Sequence, residues 1–404
     1  MNILVLDTIH GGKRIAEALA GRGHSIDMVD VYRGADGISP KEAEMRDYDL
    51  VIAPVHLPPY HTLLKSVPAP VITHHQATRW ILGRQVPSLL VEITGARGKT
   101  TTAHALAYLL EGTGVLHTSS GTMECPSGKV LGRLGITPAS LIEAASIARS
   151  REGWLIAEVS LGFTGAGNLG ILTSMETYRC AGGEKDALEE KLRSANTLPL
   201  LLTPPGTGAT GNRLPADKIA MVDGDVCRYA WEGISGEFKN PLLGTAAYRD
   251  PLILAAAAAC ILGADPSRLS TFSPVTGRMV LSWRGETPVV DDSNSGTCAS
   301  TALQAIRYAR QIAGKKGPLT LVIGKEEGAI CEGFPGEAIV DVVMSECPDR
   351  VILVGTEYGP LVSESMSWKV PITRCDTLEE GEALALEDGD RGAGIVVLAV
   401  KTWR

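Results

Sequence analysis

The sequence predicts an α/β protein of two or three domains, read as three small α/β units in series. Its 404 residues exceed what one hydrophobic core ordinarily fills. Short apolar runs that read as buried strands alternate with segments of helical periodicity along the chain. One alternation, residues 88–102, is a strand that breaks at a glycine turn and reopens at once as a helix.

In chain order, strands are expected at residues 3–6, 25–31, 50–53 and 70–73, with a helix near 13–21, which together make a small parallel unit. Ligands of such folds gather at the carboxyl ends of the strands, here near Asp7, His10, Gly11 and Gly12, although Gly11-Gly12 reads equally as an ordinary tight turn. Asp30 closes the second strand, where dinucleotide folds carry a ribose-binding acid, but the first turn lacks Gly-x-Gly-x-x-Gly, which argues against a nicotinamide cofactor. His56, His61, His74 and His75 fall in the second half of this unit, as surface or substrate-facing groups or as metal ligands.

The second unit opens with the apolar run 89–93, Gly95, Gly98 and a helix over 100–110. A strand at 114–118, a Gly/Ser-rich turn and a helix over 139–149 follow, with Pro138 at the helix start and Thr137 as its cap. The strand 154–160 carries Glu158 near its end, and the glycine-rich 162–170 leads to a strand from 171. Gly206, Gly208 and Gly211 match the dinucleotide pattern literally, but prolines before and after them predict a loop. Residues 241–263 read as a helix packed by small side chains. The third unit has Gly277-Arg278, a hairpin (279–283 and 288–290), the polar run 291–297, a helix over 300–313 and strands at 320–323, 350–354 and 394–400, before a basic end, Lys401 to Arg404.

A net charge of −8 and a pI near 5.6 leave no electrostatic footprint for nucleic acid. No apolar run reaches membrane-spanning length, and the chain starts directly on a core strand, so no membrane, no leader and a cytoplasmic location are expected. The eight cysteines contain no Cys-x-x-Cys pair, which argues against structural zinc and disulfides.

The chemistry is concentrated at the glycine turn. Backbone N–H groups of Gly95, Ala96, Arg97 and Gly98 can converge on phosphate oxygens at the positive end of a helix dipole. Lys99 would reach the outer phosphates, and Thr100, followed by Thr101, would hold Mg²⁺. ATP is therefore the expected ligand. A buried strand ending in Glu158 suits the second protein ligand of that Mg²⁺. In the third unit, an acid at a strand end before small polar residues suits nucleotide hydroxyls and a developing phosphate charge.

The shortened Thr-Gly-x-x-Gly-Lys-Thr-Thr loop resembles that of the Mur ligases, which make an acyl phosphate from a carboxylate and ATP and let a nucleophile displace phosphate. The resemblance implies a three-domain Mur-ligase-like architecture: a Rossmann-like domain at 1–87, a P-loop ATP-binding domain at 88–272 and a Rossmann-like α/β ligase domain at 273–404. It implies that Lys99, Glu158 and Arg278 are catalytic, that Arg278 and Asp292 join Gly95–Thr101 on the nucleotide, and that Thr137 faces the cleft. The Asp-His pair and modified lysine of the amide-forming members are not matched, with Glu176 or Glu184 and Lys191 as the nearest candidates. Tyr248-Arg249 stands where His-Asn is usual.

The form of the loop, Leu6 to Gly12, Asp30 to Arg33, Glu158 to Gly167 and Asp291 to Gly296 resemble one archaeal branch, the coenzyme F(430) synthetases. That implies a nickel-carrying tetrapyrrole substrate whose propionate is phosphorylated and attacked by a carbon of its own macrocycle. Arg33, Arg79, Arg84, Arg97 and Arg179 are candidates for gripping its carboxylates. An amide-forming ligase with another acid is the alternative.

Overall fold

The computed structural model describes residues 1–34, 36–313, 317–327, 334–358, 370–387 and 394–402. The chain forms two compact units, Met1–Asn240 with Asp250–Ser270, and Pro241–Arg249 with Thr271–Arg404.

The first unit contains a four-stranded parallel sheet in the order Ser25–Val29, Asn2–Leu6, Leu50–Ala53, Val71–Thr73. Alternation along the first strand sends Ile3 and Val5 to a core with Ile15, Leu19, Ile52 and Ile81, and Leu4 and Leu6 to another with Val51, Leu57 and Leu63. The helices Gly12–Ala20 and His74–Leu82 supply Ile15, Leu19 and Ile81. His74 and His75 therefore lie in the first turn of a helix that the sequence reading lacks. Thr73 starts that helix through a capping box, accepting from the Gln76 N–H (3.2 Å) while its own N–H donates to Gln76 Oε1 (2.8 Å).

An eight-stranded sheet follows in the order Arg213–Pro215, Leu201–Thr203, Leu169–Leu172, Leu90–Thr94, Trp154–Glu158, Gly114–Thr118, Gly121–Cys125, Val130–Gly132. The first six strands are parallel, and the last two form an antiparallel extension. The strand before the glycine turn is thus central, flanked by the strand that carries Glu158.

One expectation, the cap at Thr137, is corrected here, and strands the sequence reading lacks are added at two places. The Gly/Ser-rich turn after 118 opens the hairpin Gly121–Cys125 and Val130–Gly132. Thr137 is not the cap of the helix Ser140–Ser150: its N-cap is Ala139, with no side-chain cap, because a backbone turn from the Ser140 N–H to the Thr137 carbonyl (3.0 Å) already starts it. Residues 220–239 form a three-stranded antiparallel sheet, Ala220–Asp223, Val226–Trp231 and Ile234–Lys239, absent from the sequence reading. The glycines at 206–211 lie in a loop that ends on the strand Arg213–Pro215, as expected. The 241–263 segment becomes a short 3-10 turn, Pro241–Gly244, and the helix Ala246–Ile261, whose Ala255–Ala259 run is fully buried.

The second unit is built on a six-stranded sheet in the order Val280–Arg284, Thr287–Asp291, Ile395–Lys401, Leu319–Lys325, Arg350–Val354, Ile372–Cys375, antiparallel only at its first strand. Helices Ala299–Ala313, Gly336–Glu346 and Leu378–Glu387 accompany it. Lys401 is buried at the end of its strand rather than part of a basic surface, and Trp403 and Arg404 lie outside the described residues. The seven described cysteines are free thiols, and no described helix is long and apolar enough to cross a membrane.

Candidate active site

The turn between the strand Leu90–Thr94 and the helix Lys99–Leu109 is shaped by two glycines at positive φ, Gly95 (155°) and Gly98 (82°). At Gly95 the need is steric as well: a Cβ there would lie 2.1 Å from Thr173 Oγ1. Thr173 and Ser174, just beyond the neighbouring strand, brace the turn. Thr173 donates to the Thr94 and Arg97 carbonyls (3.2 and 2.5 Å), and the N–H of Ala96 donates to Ser174 Oγ (3.1 Å), with that of Arg97 at 3.5 Å. Lys99 folds back, donating from Nζ to the Gly95 carbonyl at 3.0 Å. The helix has no side-chain cap and no acid in its first turn, so its N-terminal dipole is left for an anion.

Thr100 and Glu158 meet through Ser119, a residue the sequence reading missed. The Thr100 and Ser119 hydroxyls are 3.3 Å apart, and the Ser119 N–H donates to Glu158 Oε1 at 3.4 Å. Glu158 is fully buried, and its Oε2 has no hydrogen-bond partner. A buried, unpartnered carboxylate oxygen is expensive unless a cation neutralises it. Carboxylate and hydroxyl oxygens are the ligands Mg²⁺ prefers, so Thr100 and Glu158 fit that ion.

In the second unit, Arg278 and Asp292 occupy two interlocked turns. Tyr248, fully buried, accepts from the Val275 N–H (3.0 Å) and donates to the Arg278 carbonyl, which fixes residues 275–278. Arg278 donates from Nη1 to Asn294 Oδ1, while Asn294 Nδ2 donates to the Gly277 and Asp292 carbonyls at 2.9 and 3.0 Å. Gly277 (φ 68°) is required here, since a Cβ would sit 2.6 Å from the Ser293 carbonyl oxygen. Burial pushes the Asp292 carboxyl up to about 7, against the pull of Arg278, and its Oδ2 is buried without a partner. Asn294 was not singled out from sequence, and Tyr248 was noted there only for standing where His-Asn is usual.

The N-terminal turn is built differently. Asp7, fully buried, accepts the Ile9 N–H (2.8 Å) and the His10 N–H (2.8 Å) on its two oxygens, and His10 Nδ1 lies 3.3 Å from Oδ1. Burial alone would raise the Asp7 pKa; the bonds from the His10 side chain and from the His10 and Ile9 amides outweigh it and hold the carboxyl below its ordinary value. The His10 ring meets Tyr32 and His56 edge to face, with centroids 4.9 and 4.7 Å away. Burial holds His56 down to about 4, His74 to about 3 and His75 to about 4. His75 Nε2 donates to the Ser160 carbonyl at 2.8 Å. Among the described residues, no group of three or more His, Cys, Asp or Glu side chains could hold a metal ion. The metal reading of these histidines is therefore not supported.

The remaining candidates scatter. Asp30 uses Oδ1 to accept the Tyr32 and Arg33 N–H groups (3.0 and 2.9 Å), so it holds a turn. Arg33, Arg79 and Arg84 are exposed. Arg97 pairs with Glu176 (2.7 Å), both half-exposed, and Arg179 donates to the Gly183 carbonyl. Glu184 is exposed, and Lys191 is buried with its ammonium 4.8 Å from the centre of the Tyr178 ring.

Comparison with known proteins places this geometry. Residues 282–402 match the family described as coenzyme F430 synthetase CfbE, C-terminal domain. The chain is 31% identical to the coenzyme F(430) synthetase of Methanosarcina acetivorans, across 100% of this chain and 98% of that one. It is 26% identical to that of Methanocaldococcus jannaschii across 48% and 49% of the two chains. In fold it is similar to the UDP-N-acetylmuramate-alanine ligase MurC of Thermotoga maritima (TM-score 0.51, 14% identity, 99% and 95% of the two chains). It is likewise similar to a ligand-free bifunctional folylpolyglutamate synthase/dihydrofolate synthase of Yersinia pestis (TM-score 0.57, 14% identity, 82% and 91%). With a phosphate-loop corner, a carboxylate beside it, and a relative matched from end to end, the chain belongs to the coenzyme F(430) synthetase family and has the mixed α/β, multi-domain Mur-ligase fold.

Proposed function

We propose that this chain is an ATP-dependent ligase that phosphorylates a propionate of a nickel-containing seco tetrapyrrole and closes a carbocyclic ring by carbon–carbon bond formation. The products are coenzyme F(430), ADP and phosphate. The observation that carries this reading is the unpartnered Glu158 oxygen, buried beside Thr100 at the mouth of a glycine turn with Lys99. Family membership supplies the substrate class.

Gly95, Ala96, Arg97, Gly98, Lys99, Thr100 and Thr101 would cradle the triphosphate, Lys99 exchanging the Gly95 carbonyl for phosphate oxygens. Thr100 and Glu158 would hold Mg²⁺, which supplies charge neutralisation at the transferred phosphoryl group. Arg278 would add a guanidinium to that charge and Asp292 an acceptor for nucleotide hydroxyls. In this division of labour, 1–87 carries substrate contacts, 88–272 the nucleotide and 273–404 the Arg278 and Asp292 side chains. The propionate oxygen takes the phosphoryl group, a macrocycle carbon attacks the acyl carbon, and phosphate leaves. Holding both reactants in one molecule removes the entropy of bringing them together.

Mass spectrometry of the purified protein with ATP, Mg²⁺ and the seco tetrapyrrole tests the proposal. Loss of one water from the tetrapyrrole is expected, together with phosphate release that Lys99→Ala abolishes while circular dichroism shows the fold intact. Unchanged release in that variant, or release that requires an added amine, would overturn it.

A further inference from the structure

The Asp7–His10 turn lies outside the residues assigned above to the nucleotide, yet its chemistry is specific. Asp7 is a buried carboxylate with its oxygens on two backbone amides and one imidazole nitrogen. His10 Nδ1 faces Asp7 at 3.3 Å from Oδ1, which turns the ring so that Nε2 lies on the side away from that carboxylate oxygen. The His10 side chain is 33% exposed although its Nδ1 is buried. The neighbouring imidazoles offer no equivalent. His74 is buried, His75 is tied to Ser160, and His56 has Nε2 buried.

The turn is also pressed against residues 137–139 within the same compact unit. A Cβ at Gly11 (φ 105°) would lie 2.7 Å from Ala139 Cβ and 2.9 Å from Thr137 Oγ1. Residues 137–139 continue from Ile136, whose carbonyl accepts the Ser160 N–H at 2.8 Å. Ser160 follows Glu158 by two residues. A run of touching backbone segments therefore connects His10 to Glu158.

Ring closure at an acyl phosphate needs a proton acceptor. The attacking carbon gives an electron pair to the acyl carbon, the bond to phosphate breaks with its pair leaving on the phosphate, and the carbon must lose its proton. We propose that His10, oriented by Asp7, is the general base that takes this proton on Nε2 during ring closure. The inference rests on the function proposed above and names a residue for its second step.

Hydroxylamine separates the two steps, because it traps an acyl phosphate as a hydroxamate. His10→Ala and His10→Gln are expected to form the hydroxamate at about the wild-type rate. Ring closure should fall by ~10²–10⁴ in both, the range for a positioned base, and added imidazole should partly restore it in His10→Ala. Asp7→Asn is expected to lower ring closure less and to leave hydroxamate formation unchanged. Normal ring closure in His10→Ala, or parallel loss of hydroxamate and ring closure in both His10 variants, would overturn this inference alone. Absence of hydroxamate from the wild type would overturn the acyl-phosphate reading and the inference together.

Discussion

Two corners of the first unit share one backbone plan and do opposite things with it. In each, a parallel strand ends, a glycine with positive φ turns the chain (Gly11 at 105°, Gly98 at 82°), and a helix starts with neither a side-chain cap nor an acid in its first turn. The difference is where the negative charge comes from. At the N-terminal corner the chain supplies its own, since Asp7 takes up the Ile9 and His10 amides. That corner places a carboxylate against the first amides of its turn and sets an imidazole beside it. At the second corner Ala96 and Arg97 lean on the hydroxyl of Ser174, a neutral acceptor that an anion can displace. A helix mouth is thus a ligand site only if the fold leaves its charge unanswered.

The largest expected effect comes from removing the unanswered charge itself. Glu158→Gln should lower ATP-dependent turnover by ~10²–10³ and at the same time raise the melting temperature without metal, because a buried uncompensated oxygen is lost. Phosphate-release assays and calorimetry check both halves; a fall in stability would break the comparison.

Asp292 provides a buried carboxylate in which burial outweighs the pull of Arg278. Burial holds its carboxyl up at about 7, above the ordinary aspartate value of 3.8, so its contribution to stability is present below pH ~4 and is lost as pH rises through 7. The slope should amount to no more than ~4 kcal/mol, and Asp292→Asn should flatten it in urea titrations at pH 4 to 8. Asp7, with its lowered pKa, has the opposite sign: its contribution is present above its unfolded pKa and is lost as pH falls. Asp7→Asn should therefore cost ~1–3 kcal/mol at neutral pH, with nucleotide affinity by calorimetric titration unaltered. Ser174→Ala should have the smallest effect, changing nucleotide affinity by about threefold or less, because the hydroxyl only stands in for a ligand.

Local patterns made the first half of this legible in the sequence. Gly95, Gly98, Lys99 and Thr100 are neighbours in the chain, so their strand, turn and helix could be read directly, and Glu158 declared itself as an acid at the end of an apolar run. Ser119 did not, because a serine in a Gly/Ser-rich stretch carries no signal until the fold sets it between Thr100 and a residue 39 positions away. The roles of Tyr248 and Asn294 stayed hidden for the same reason, since each acts through backbone atoms distant in sequence. The helix His74–Leu82 was missed although its Thr73 and Gln76 spell a capping box, because its two leading histidines were weighed as ligand candidates rather than as a helix start. Thr137 misled in the other direction: a Thr-Pro pair before a helix suggests a cap, whereas a backbone turn already serves that end.

Glu92, a charged residue in the middle of the strand leading to the phosphate loop, is fully buried and accepts the Thr164 N–H, the Thr164 hydroxyl and the Gly167 N–H. It staples the loop that follows Glu158 to the strand that precedes Gly95, so a change at Glu92 would loosen both segments at once and reach the Lys99 turn from inside the core.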